Sequence, residues 1–135
     1  MVVSAIMRFA AENGDSSTPS ISAHKSRTSG AMVSVDCIVD GTVTDQRIWA
    51  VWPHANIVSL MILADGILTI KTNSTSVPDD TLAVLANEPV VYDPAWHPTD
   101  PIPAAANVAS LYVTNAAATA VSLRIRVLCD SYVPV

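Results

Sequence analysis

Apolar and polar residues along this chain alternate with a period of two far more often than with a helical period. "AMVSVDCIV" (31–39) sets the rule: Met32, Ser34, Asp36 and Ile38 fall on one face, Val33, Val35, Cys37 and Val39 on the other. Successive side chains of a strand point to opposite faces, so the second set is the expected core face. "DQRIWAVWP" ends at Pro53, "IVSLMIL" is apolar on both faces, and "ILTIKTN" alternates again. "TLAVLAN" and "PVVYD" read as shorter strands, the latter starting at Pro89, a position strands tolerate. In "LYVTNAAATAVSLRIRVLCD" (111–130) the Ala-rich centre suggests a helix, but Leu123, Ile125 and Val127 alternate with Ser122, Arg124 and Arg126. That period predicts two strands around a small turn.

The breaks between these runs carry turn chemistry. Asp40-Gly41 and Asp65-Gly66 predict hairpin-type turns. Residues 74–80, "STSVPDD", read as a loop, and 93–107, "DPAWHPTDPIPAAAN", are too Pro-rich for a helix or a central strand. Residues 2–12 predict a first strand, and 13–30, "NGDSSTPSISAHKSRTSG", a long loop or extended arm. The expected architecture is all-β: one domain over residues 1–135, a β-sandwich of jelly-roll type with about eight strands.

Composition changes what this fold is expected to do. Half of the 135 residues are hydrophobic and only 14% are charged, against a usual charged share of about 25%. So little charge covers a monomer poorly and predicts that part of the surface meets a partner or another copy. A membrane span is not expected: the longest apolar run, 56–70, is broken by Asp65-Gly66 well short of the ~20 residues needed. The first residues lack the basic start and cleavage site of a secretion signal. A net charge of −5, with no run of three Lys or Arg, argues against general nucleic-acid binding.

Candidate chemistry is sparse. His24, His54 and His97 are isolated in loops or beside prolines, without a second ligand at metal spacing, and are expected to face water. Asp79-Asp80 with Asp65 or Asp93 would form a calcium site only if the loops converge; otherwise each carboxylate caps nearby backbone. No phosphate loop or nucleophile elbow occurs, so no catalytic, cofactor-binding or metal-ligating residue is assigned and enzyme activity is not expected. Asn73-Ser74-Thr75 matches the glycosylation pattern and is read as coincidental. Cys37 and Cys129 are too few for a disulfide framework and read as buried thiols, although a bond between them stays open.

The aromatic residues carry more. Trp49 and Trp52 lie three apart in one predicted strand and so point to opposite faces, leaving one indole surplus to the core. That indole, Trp96 on the Pro-rich loop, and the outward Arg124 and Arg126 are the candidate interface residues, with a lid or a solvated face as their plainer roles.

Two segments together resemble a known group. "ADGILTIKTNSTSVPDDTLAVLANEPVVY" (64–92) and "VASLYVTNAAATAVSLRIRVLCD" (108–130) are similar to small structural proteins of tailed bacteriophages, with their "TIKTNS…PDDT" segment and a closing "LYVTN…RVL.D" hairpin. The resemblance implies a virion component, most like a capsid decoration (cement) protein. Such a protein is made in the host cytoplasm and sits as a homotrimer on the capsid exterior, clamping the major capsid protein. The alternative is a head-fibre or tail-tip module binding a host glycan through Tyr92, Trp96 and the Asp-rich loops. The expected arm, residues 13–30, would reach a neighbouring subunit.

Overall fold

The structure, a computed structural model, describes residues 3–11, 21–29 and 31–129, the first two segments as backbone only. Eight strands form two four-stranded antiparallel sheets. In chain order they are β3 (Ala31–Val39), β4 (Val43–Ile48), β5 (Ile57–Ala64), β6 (Leu68–Thr72), β7 (Thr81–Val84), β8 (Val90–Tyr92), β9 (Leu111–Asn115) and β10 (Val121–Cys129). Sheet one has the order β3-β10-β5-β8 and sheet two the order β4-β9-β6-β7. Two earlier strands, β1 (Val3–Ala11) and β2 (Ile21–Ser29), pair with each other in a separate two-stranded sheet.

The inward residues of both sheets share one core. Leu60, Ile62, Leu123, Ile125 and Val127 of sheet one meet Leu68, Ile70, Val84, Leu111 and Val113 of sheet two. The alternation in β3 holds: Val39 is buried and Val33, Val35 and Cys37 pack against the core, while Met32 and Ile38 are exposed. The Leu-Ile-Val set of β10 is fully buried. Cys37 lies opposite Leu123 and Cys129 opposite Ala31, far apart along the β3–β10 ladder, so no disulfide joins them. Burial, and secondarily the neighbouring Asp36 carboxylate, raise the Cys37 thiol above its ordinary value.

Several expected turns are of another kind. β3 and β4 lie in opposite sheets, as do β5 and β6, and β9 and β10. Asp40-Gly41, Asp65-Gly66 and the Ala-rich segment therefore carry the chain from sheet to sheet; none closes a hairpin, and the expected closing hairpin is not formed. Among the described glycines none has a positive φ. A two-residue hairpin of the type-I′ kind needs positive φ, so Gly41 and Gly66 are small for a different reason. A Cβ on Gly41 would run into the carbonyl of Ala118, and one on Gly66 would come within 2.5 Å of the Val121 side chain. Gly41 lets the β3–β4 crossover pass close to the β9–β10 crossover, and Gly66 lets the β5–β6 crossover pass close to the first residue of β10. Gly41→Ala sets a methyl against backbone that cannot rotate away, and is expected to destabilise by about 1–3 kcal/mol, read as a lower urea midpoint at unchanged slope.

The expected loop at 13–30 is corrected in part. Residues 21–29 form β2, in register with β1 from Val3↔Ser29 to Ala11↔Ile21. The ladder is made by backbone groups, so a Ser- and Thr-rich strand reads as loop when its partner is not known. The remainder of that segment lies outside the described residues.

Candidate functional site

Ile48, Leu111 and Thr72 stand side by side where strands of sheet two end. From this end leave residues 49–56, the 73–80 loop and the Pro-rich loop. Their fixing explains the site. Asp80 accepts hydrogen bonds from the backbone N–H groups of Ala104 and Ala105 at 3.1 and 2.9 Å. The Asn73 amide donates to the Asn107 carbonyl and to Asp79, and its oxygen accepts from Ala109 N–H. Asp93 accepts from the N–H groups of Ala95 and Trp96. Ile102, Ala105 and Val108 are thereby pressed into the core, closing this end. Asp80 and Asp93 thus cap backbone, Asp79 accepts from the Asn73 side chain, and Asp65 caps Ser122 N–H at the opposite end. Among the described residues no three His, Cys, Asp or Glu gather to hold a metal ion. The Asn73 side chain, read as a glycosylation match, is engaged on both its amide atoms.

Trp52 is the centre of this end. It does not share a strand with Trp49, because β4 stops at Ile48; it is held instead by a two-way backbone bridge to Val108 at 2.9 and 3.0 Å. Its indole is 1% exposed, which removes it from the interface candidates. The indole N–H donates to His54 Nδ1 at 3.1 Å, and His54 Nε2 lies 2.9 and 3.0 Å from the Asp100 carboxylate oxygens. An indole N–H can only donate, so Nδ1 holds the lone pair and Nε2 the proton, aimed at Asp100. His54 is 4% exposed, contrary to the expectation of a water-facing loop residue. Both its ring nitrogens therefore have hydrogen-bond partners within the chain.

The pair backs a groove of about 450 Å³ lined by His54, Asn56, Tyr92, Pro94, Asp100 and Pro103, among others. The His54 and Tyr92 rings lie 5.9 Å apart. Desolvation raises the Tyr92 hydroxyl above its ordinary value, and the Asp100 and Asp93 carboxylates raise it further, so it stays a donor. The sequence places His54 and Asp100 46 residues apart, with no spacing to join them; only the run Trp52-Pro53-His54 before an Asp-rich loop could have hinted at it.

The other interface candidates divide. Trp49 is 73% exposed, with the Arg47 guanidinium 3.7 Å over its ring, a cation–π contact that stiffens both. Val51 and Val77, which the sequence did not single out, and Trp96, which it did, are exposed at the same end. Arg124 and Arg126 emerge on the outer face of sheet one. Arg126 donates to both Asp36 oxygens at 2.9 Å and to the carbonyls of Val35 and Ile125, while Arg124 stands 3.8 Å from Asp36. These ion pairs bind β10 to β3 within the chain, and their exposure limits each to about 1 kcal/mol or less.

No family model, curated protein or solved structure matches this chain. Among the described residues no helix is long and apolar enough to cross a membrane.

Proposed function

We propose that this chain is a jelly-roll structural protein of a virion, binding the outside of a capsid as a decoration protein and bridging capsid subunits. The strand orders support the jelly roll. Counting from β3 as the first, one sheet takes strands one, eight, three and six, and the other two, seven, four and five. A long antiparallel ribbon rolled once gives that interleaving. The fold itself does not assign the role, since lectins and enzymes share it.

The observation that carries the reading is the end bearing Trp49, Val51, Val77 and Trp96, exposed apolar side chains on a frame of well-fixed loops. Large rings on stiff supports make anchors, because little conformational entropy is lost when they dock. The protein is expected to bind expanded capsids built from the major capsid protein of the same virion, at micromolar concentration, and to raise their thermal stability. Trp49→Ala, which removes no core contact, is expected to weaken that binding about tenfold or more. Absence of binding at micromolar concentration would overturn the reading.

The groove beside Tyr92 and Asp100 favours one second reading, a fibre or tail-tip module holding a host glycan. A ring against Tyr92 with hydroxyls on Asp100 is a workable sugar contact. Hits on a glycan array that vanish in Asp100→Asn and Trp96→Ala would support it.

A further inference from the structure

The two four-stranded sheets have four edge strands, and three of these are ill-suited to pairing with another chain. β7 and β8 span four and three residues. β4 is kinked: Asp45 within it and Thr42 just before it have positive φ, and its register with β9 shifts between Val43 and Gln46. Bulged and short edges block edge-to-edge association. β3 has none of these devices. It runs nine residues in unbroken register with β10, contains no Pro or Lys, and its one charge, Asp36, is held by Arg126. Its outer side has no strand along it among the described residues. Only one residue separates β2 from β3, fewer than an antiparallel return requires, and β2 instead comes near β10 and β5.

We propose that β3 pairs antiparallel with β3 of a second copy, about a two-fold axis at Val35, joining two sheets into one of eight strands. The side chains select both the partner and the register. With Val35 facing itself, Met32 (38% exposed) meets Ile38 (64% exposed) of the second copy twice, once on each side of the axis. Ser34 then faces Asp36 of the second copy, a hydrogen-bonding pair. On the inner face, half-buried Val33 faces Cys37 of the second copy. Sliding by two residues one way sets Asp36 against itself, and the other way sets Met32 against Asp36; like charges directly opposite destabilise. A slide that changes the pairing parity puts core faces opposite solvent faces. One strand therefore complements itself in one register, which is what an isologous contact requires. Such a contact closes as a dimer, whereas the trimer that the phage resemblance implies needs two different surfaces. The inference does not depend on capsid binding.

Sedimentation velocity and native mass spectrometry of the full chain test it. The wild-type protein is expected to be a dimer at micromolar concentration. Met32→Lys with Ile38→Lys opposes lysines at both crossings, and is expected to raise the dimer dissociation constant more than about tenfold. Its far-UV dichroism should be unchanged, since both side chains are exposed. Mixing it with the Met32→Glu, Ile38→Glu variant should restore a mixed dimer. Should the lysine variant not fold, Val35→Cys in a Cys37→Ser background gives a second readout. It should oxidise to a covalent dimer, because directly opposed residues lie within disulfide range, and Val33→Cys should not. A wild-type monomer or trimer, or a dimer indifferent to the lysines, overturns the pairing; capsid binding by that same protein would leave the decoration reading standing.

Discussion

Trp52→Ala is expected to cost about 3–5 kcal/mol of folding stability, the range for emptying a large buried aromatic site. In a domain of this size that lowers the melting temperature by about 10 °C or more. The loss has two sources. The indole fills the end of the core beside Val108 and the closing loops, and alanine leaves most of that volume empty. It also supplies the one proton that fixes the His54 tautomer. Trp52→Phe separates them. The ring volume is largely kept, while His54 Nδ1 is left buried without a donor, so about 1–3 kcal/mol should remain. Urea unfolding of the three proteins at equal slope measures both. If Phe proves as costly as Ala, the hydrogen-bond relay outweighs the packing; if Phe is neutral, the relay through His54 to Asp100 contributes nothing to stability.

The strands were legible because burial imposes a period, and period survives in a single sequence. Residues 31–39 and 121–129 could be read face by face. What period cannot encode is the sheet in which the next strand lies. Asp-Gly between two alternating runs has the chemistry of a hairpin, yet here the same dipeptide serves crossovers, because the glycines are selected by close approach and not by a left-handed backbone. The Trp52–His54–Asp100 relay was hidden for a related reason. Its members come from the β4–β5 connection and the Pro-rich loop, brought together only once Asp80 and Asn73 tie that loop down. Trp49 and Trp52 were separable in outcome, one exposed and one buried, but the cause is that the strand ends at Ile48, leaving Trp52 to a single bridge. Self-complementarity of β3 depends on its edge position, which no alternation reveals.

Asn115→Ala is expected to be the most damaging polar substitution among the described residues, at about 2–4 kcal/mol. Asn115 closes β9 and is 0% exposed. Its amide nitrogen reaches the carbonyls of Val39, Asp40 and Thr119 at 3.3, 3.1 and 2.9 Å, and its oxygen accepts from Ala117 N–H at 3.1 Å. One side chain thereby ties the β3–β4 crossover to the β9–β10 crossover, just where Gly41 passes against Ala117 and Ala118. The Ala-rich turn looks inert in sequence because its hydrogen bonding is delegated to Asn115 and its small side chains leave room for Gly41. Alanine would strand the buried Val39 carbonyl and take the amide donor from the part-buried carbonyls of Asp40 and Thr119. Asn115→Asp is the sharper probe. It keeps the acceptor for Ala117 but turns a carboxylate oxygen toward three carbonyls, so it should exceed alanine in cost at neutral pH. Acid should narrow that gap, because a protonated carboxyl regains one donor. An Asp variant as stable as wild type at neutral pH would mean that the two crossovers are held by packing alone.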